Sequence, residues 1–203
     1  MAAPHFSALV NVITTADARD LAQHLPDNSV DLVFADPPYL KEHIEDGIYA
    51  WLAEVAARVL KENGFCLAYC GTYWKYQAML QMGRYLAPIL AFRKGKAMPT
   101  AAVLDLYKGS GASKKFHKWG QDTPSAQYFL SCFSHPGDLV FDPFTGGGTI
   151  PVVCTLLGRN FIACEIDIEQ AQIARGRLAM AQQLPLIAPD IDGGVYTLLG
   201  GAA

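Results

Sequence analysis

Short continuous apolar runs alternate along this chain with stretches in which apolar residues recur every three or four positions. The runs fit strands covered on both faces and the spaced stretches fit amphipathic helices. Strands are expected at residues 8–14, 30–35, 65–70, 86–92, 102–107, 139–141 and 160–164. The clearest helix spans residues 46–61, where Ile48, Trp51, Leu52, Val55, Val59 and Leu60 form a core-facing stripe and Asn63-Gly64 supplies a stop signal. A second runs from Asp167 to about Gln183, with acids first and Arg175 and Arg177 later, in keeping with the helix dipole. This alternation predicts an α/β fold: a doubly wound, mostly parallel, Rossmann-like sheet with helices on both faces. Residues 184–203, punctuated by Pro and Gly without a clear period, read as a loosely packed or disordered tail.

Composition narrows the class. With 203 residues, 51% hydrophobic and 17% charged, the chain suits one domain, taken as residues 1–183 ahead of the tail. Its formal charge of −3 announces no polyanionic partner, so a basic patch would have to be local. Five cysteines, Cys66, Cys70, Cys132, Cys154 and Cys164, form no CxxC pair and fit buried, reduced thiols, and no metal site is expected. No basic leader and no apolar stretch near the roughly 18 residues of a membrane span is present, so a soluble, cytoplasmic protein is expected.

Two stretches carry candidate chemistry. The buried run Val30–Ala35 ends in Asp36-Pro37-Pro38-Tyr39, and a double proline cannot continue a hydrogen-bonded ladder. The chain must leave the sheet at Asp36, at a carboxyl strand end, where parallel sheets bind ligands. Downstream, a Pro136-Gly137 turn feeds a short strand, the loop with Gly146, Gly147 and Gly148, a helix from Thr149, and a strand ending at Glu165. That is a complete βαβ unit. The glycines let a ligand approach backbone at a helix N-terminus, and an acid about 20 residues on can accept from ribose hydroxyls. The spacing is not GxGxxG and no P-loop lysine follows, which favours a nucleoside without a pyrophosphate.

Asp36-Pro37-Pro38-Tyr39, the segment FDPFTGGGT from Phe141 to Thr149, and ACEID from Ala163 to Asp167 together resemble the DNA amino-methyltransferases. These enzymes methylate N6 of adenine or N4 of cytosine with S-adenosylmethionine. The acid-proline element precedes the glycine element, as in the permuted β-type arrangement of that family. The resemblance implies a Rossmann-like methyltransferase sheet and a catalytic set of Asp36, Pro37, Pro38 and Tyr39. Cofactor contacts would come from Asp142, Phe144, Gly146, Gly148 and Thr149, with Glu165 on the ribose. Asp17 matches an acidic position near the adenosyl ring, although a helix N-cap explains it equally well. Gln121 and Asp122 fall in the segment that precedes the glycine element. Asp at the first motif position favours adenine, with cytosine N4, an RNA base, or a catalytically silent DNA-binding module as alternatives.

An exocyclic amine on an aromatic base is a weak nucleophile because its lone pair is delocalised into the ring. The Asp36 carboxylate and the Pro37 carbonyl would accept its two N–H bonds and stabilise the positive charge that develops on nitrogen. Prolines offer no N–H to compete for these acceptors. A base within a duplex must be flipped out to reach such a site, and Tyr39 would stack on it.

Between Arg93 and Lys118 lie Arg93, Lys94, Lys96, Lys108, Lys114, Lys115 and Lys118, with Asp105 the only acid. Small residues and Phe116, His117 and Trp119 are interleaved, a composition suited to tracking a phosphate backbone. Residues 93–120 are accordingly read as a short target-recognition segment. Its brevity leaves three expectations open, a brief recognition site, relaxed specificity or help from a second subunit, and the β-type resemblance makes a homodimer one form of the last.

Overall fold

The chain folds, in a computed structural model describing residues 5–38, 41–70, 74–82, 92–93 and 123–188, around a six-stranded sheet. The strands are β1 (Val12–Thr15), β2 (Val30–Ala35), β3 (Leu60–Ala68), β4 (Phe92–Arg93), β5 (Leu139–Asp142) and β6 (Asn160–Glu165). Their order is β1-β6-β5-β2-β3-β4, parallel throughout except for the antiparallel edge pair β3 and β4. The helices are α1 (Ala18–Ala22), α2 (Lys41–Glu45), α3 (Ile48–Val59), α4 (Lys75–Met82), α5 (Thr123–Phe133), α6 (Thr149–Leu156) and α7 (Ile168–Ala181).

Side chains alternate across the pleat of β2 into two cores. Val33 and Ala35 pack with α1 and α3 on one face, and Leu32 and Phe34 pack with α5, α6 and α7 on the other. A strand covered on both faces is apolar where it is covered, and from Leu32 the sequence runs unbroken to Asp36, while Asp31 at the strand's start pairs with Lys61 and accepts the Leu139 N–H. From β2 the chain winds outward through β3, whereas from β5 it winds the opposite way through β6. The sheet therefore reverses between β2 and β5, the place where open α/β sheets leave a crevice at their strand ends.

Several elements differ from the sequence expectation. Residues 6–8 form a 3-10 turn, and the first strand begins only at Val12. The long helix ends at Val59 rather than at Asn63-Gly64, because Leu60 is already extended and pairs with Val30. Asn63-Gly64 instead marks a bulge: Val30 pairs with Leu60 but Leu32 pairs with Phe65. Asn63 sits there at φ 69°, and a Cβ on Gly64 would lie 2.8 Å from the Asp31 carbonyl oxygen. The strand at 65–70 starts earlier and stops at Ala68. Residues 86–91 and 102–107 lie outside the described residues, and only Phe92–Arg93 of that region forms described strand. At the start of the expected loose tail, Ile187 donates its N–H to the Leu156 carbonyl at 2.8 Å and packs on the α5–α6 core. Four of the cysteines are buried thiols outside any disulfide, and burial pushes Cys66, Cys154 and Cys164 upward in pKa. Among the described residues no helix is long and apolar enough to cross a membrane.

Gly148 shows how tightly α6 is seated. It caps α6 at φ 80°, and a Cβ there would meet the Ala174 Cβ on α7 at 2.8 Å. Gly148→Ala combines left-handed strain with a steric clash, so a loss of about 2 kcal/mol or more is expected. Urea denaturation checks it; an unchanged midpoint would mean that α7 shifts without cost.

Candidate active site at the sheet reversal

A cleft of about 300 Å³ opens at the strand ends where the sheet reverses. Asp36, Pro37 and Pro38 line it from the tip of β2, and Asp142, Phe144, Thr145, Gly146, Gly147 and Thr149 from the turn after β5. Glu165 and Asp167, at the end of β6, and Gln170, in the first turn of α7, complete that side. The two sequence elements, more than a hundred residues apart, thus face one hollow because β2 and β5 are adjacent, with Leu32 beside Val140 and Val33 beside Phe141.

The glycine turn is shaped by hydrogen bonds from outside itself. Glu165 accepts the Gly146 N–H on Oε2 at 2.8 Å and the Asp167 N–H on Oε1 at 2.9 Å. Its carboxylate therefore ties the loop to β6 before any ligand is considered, and each oxygen keeps a further lone pair. Thr145 donates its N–H to the Cys164 carbonyl at 3.0 Å. Arg177 on α7 donates through Nη1 to the Gly147 carbonyl, and reaches the Thr149 hydroxyl at 3.4 Å. Arg175 likewise donates to the Ile13 carbonyl at 3.0 Å and the Thr15 hydroxyl at 2.5 Å. These arginines, read from sequence as companions of the helix dipole, are specific ties from α7 to the sheet and the loop. Gly146, at φ 48°, has open space within 4 Å of where a Cβ would stand. Gly148 by contrast packs on α7 and is absent from the cleft lining.

Asp142 is the buried acid of this site. Desolvation pushes its carboxyl up to about 7, the Phe144 N–H pulls it back, and the charges of Asp36 and Glu165 add to the rise. Its Oδ1 accepts the Phe144 N–H at 3.2 Å, while its Oδ2 is buried with no partner. Gln170 Oε1 is a second buried, unpartnered acceptor on the same cleft. The amides of the first turn of α6 meet no side-chain cap, leaving a helix N-terminus open to an anionic group.

A second hollow adjoins the first and shares Phe144 and Glu165 with it. Asp17, Arg19, His43, Asp46, Trp51 and Ile166 are among its walls. Asp17 both caps α1, accepting the Arg19 N–H at 2.7 Å, and faces this hollow, so the two sequence readings of it are compatible. Trp51, read from sequence as core, is half-buried and meets the Phe144 ring edge-on at 5.8 Å, with the Arg19 guanidinium 5.9 Å from its own ring centre.

Tyr39, Gln121, Asp122, Lys94, Lys96, Lys108, Lys114, Lys115 and Lys118 lie outside the described residues. Arg93 is placed by its backbone, paired with Phe65 and so away from the strand tips. Sequence reasoning missed Tyr69, Ile150, Gln170 and the cleft role of Asp167; Gln170 and Tyr69 sit in no recognisable motif. Among the described residues no cluster of His, Cys, Asp or Glu could hold a metal ion.

Comparison with known proteins fits this geometry. A family model described as DNA methylase matches residues 103–176, a span that includes the glycine element and Glu165. The chain is 27% identical over 252 residues to the DNA adenine methyltransferase YhdJ of Escherichia coli K12, covering 87% of this chain and 85% of that one. It is 23% identical to the type II methyltransferase M.BamHI of Bacillus amyloliquefaciens, covering 86% of this chain and 58% of the relative. Among solved structures, the M1.HpyAVI complex with SAM superposes with a TM-score of 0.65 at 24% identity, covering 82% of this chain and 98% of that one. The PvuII cytosine-N4-specific DNA methyltransferase gives a TM-score of 0.67 at 15% identity, covering 81% and 85%. Its fold, its paired strand-end elements and these relatives agree in one likeness, to the N6/N4 DNA amino-methyltransferases.

Proposed function

We propose that this protein methylates N6 of adenine in DNA, with S-adenosylmethionine as the donor. The observation that carries the reading is the shared cleft: the acid-proline turn after β2 and the glycine turn after β5 face the same hollow. When bound, S-adenosylmethionine supplies a methyl group on a positively charged sulfur, ready for attack by a nitrogen. The site's own chemistry fits such a molecule. The unpartnered Asp142 Oδ2 suits its ammonium group, the uncapped start of α6 its carboxylate, and the remaining lone pairs of Glu165 the ribose hydroxyls. Phe144, Gly146 and Thr149 would border the methionine part, and Asp17 the adenosyl ring in the adjoining hollow.

Asp36 and the Pro37 carbonyl are the acceptors for the two amino N–H bonds of the base. They hold the nitrogen with its lone pair turned toward the donor side and stabilise its growing positive charge. Pro38 stiffens the turn, and Tyr39 is assigned to stacking on the extruded base. The choice of adenine rests on Asp at position 36. Incubation with labelled S-adenosylmethionine and mixed-sequence DNA, followed by nucleoside mass spectrometry, tests the reading: 6-methyladenine supports it, 4-methylcytosine moves the target to the other base, and unmodified nucleosides overturn it. A parallel arm with structured RNA separates DNA from RNA as substrate.

Residues 93–120, read as a short target-recognition segment within one methyltransferase domain, are assigned to the phosphate backbone. Each phosphate contact removed lowers the slope of log K against log salt by about 0.9. Lys114→Ala with Lys115→Ala is therefore expected to weaken DNA binding and to flatten that slope by about 2. An unchanged slope in a fluorescence-anisotropy salt series would return these lysines to the solvent. Sedimentation of the full chain with and without duplex tests whether a second subunit takes part.

A further inference from the structure

We propose that Tyr69 is a base-contacting residue, the wall on which the methyl-accepting base rests; this builds on the methyltransferase reading of the cleft. The argument is one of strand order. The tip of β2, with Asp36, has β5 on one side and β3 on the other. The glycine turn and Glu165, the cofactor elements of the site, lie on the β5 side. An amine held at Asp36 must turn its lone pair toward that side, so the ring bearing the amine extends the other way, toward β3.

Tyr69 occupies that place. The β2–β3 ladder pairs Ala35 with Ala68, and the Tyr69 N–H continues it by donating to the Ala35 carbonyl at 2.9 Å. Tyr69 therefore emerges beside Asp36, half-buried, and lines the same cleft as Asp36, Pro37 and Pro38. Its ring is held from behind. Phe34 lies 5.5 Å away at 31°, Phe129 meets Phe34 edge-on at 6.4 Å, and Tyr128 meets Phe129 at 5.3 Å. Its backbone is held too, because the buried Tyr49 hydroxyl donates to the Tyr69 carbonyl at 2.9 Å. A flat ring fixed by packing at the edge of the cleft offers stacking area without an ordering cost at the moment of binding.

The test uses the full chain and a duplex with 2-aminopurine in place of the adenine that the wild-type protein methylates. Stacking on one aromatic side chain contributes on the order of 1–3 kcal/mol per base, which is roughly a 5- to 150-fold change in an equilibrium. Tyr69→Phe should keep the fluorescence rise of the extruded base and the KM for DNA. Tyr69→Leu and Tyr69→Met, which fill similar volume without a π face, should lose most of that rise and increase the KM for DNA about tenfold or more. Binding of S-adenosylhomocysteine, followed by calorimetry, should stay within about twofold and so report an intact fold. A folded aliphatic variant with wild-type fluorescence and KM overturns the assignment of Tyr69 alone. A wild-type protein that leaves every nucleoside unmodified overturns the methyltransferase reading, and this inference with it.

Discussion

Asp36→Ala is expected to slow methyl transfer by at least about a hundredfold while leaving cofactor affinity within about threefold of wild type. The size follows from what the carboxylate does. In the proposed reaction it accepts a hydrogen bond whose donor becomes more positive as the nitrogen attacks, so the interaction strengthens toward the transition state, and removing one preorganised group of this kind costs about 10²–10³ in rate. The sparing of the cofactor follows from position, since Asp36 stands just beyond the tip of β2 whereas the elements proposed to hold the cofactor stand at the ends of β5 and β6 and on α7. Asp36→Asn, which keeps one acceptor oxygen and loses the charge, should fall between the two. Single-turnover transfer of labelled methyl, with calorimetry on the same variants, separates rate from binding. Equal rates for Asp36→Ala and wild type would remove Asp36 from the mechanism, whereas a parallel collapse of cofactor binding would make it a structural support of the cleft.

The parts of this site legible in the sequence are those whose meaning is local. A buried run that stops at Asp-Pro-Pro has one backbone interpretation, because proline ends a ladder wherever it occurs. The βαβ unit from β5 to β6 could be read for the same reason: strand, glycine turn, helix and strand follow one another without interruption. Asn63-Gly64 shows the limit. Its chemistry permits a positive φ, which the chain uses, but whether that conformation caps a helix or bulges a strand depends on what Leu60 finds to pair with, and Val30 is thirty residues away. Arg177 is a similar case, since nothing in α7 announces that its guanidinium will meet a carbonyl of the glycine turn. Tyr69 is the furthest from reach. Its significance arises only once β3 is known to flank β2 on the side away from β5, and strand order is a property of the packed sheet. Gly148 looked like its neighbours in a run of three glycines, yet Gly146 faces open space and Gly148 faces α7.

Cofactor affinity should itself depend on pH, through Asp142. Its carboxyl, pushed up to about 7 chiefly by burial, is largely protonated below that pH and ionised above it. Asp36 and Glu165 are the acids that face it, both raising it further, and Cys154 and Cys164 lie close enough to feel its charge. The ionised form is the one that can pair with an ammonium group at Oδ2, so binding below pH 7 must first expel a proton. The apparent Kd for S-adenosylhomocysteine, which carries the same ammonium, is therefore expected to rise by up to about tenfold for each pH unit below 7 and to level off above it. The sign for folding is the opposite. The unfolded carboxyl releases its proton near the ordinary 3.8 while the folded one keeps it to about 7, so the contribution of Asp142 to stability falls as pH rises across that window and is constant beyond it. Asp142→Asn removes both dependences. It should weaken binding at pH 8 by about 10- to 100-fold, the range of one charge-assisted hydrogen bond, and should leave a Kd that is flat with pH. A variant as tight as wild type at pH 8, or a wild-type profile flat from pH 5 to 8, would show that the ammonium group is held elsewhere and that the buried oxygen of Asp142 serves the turn alone.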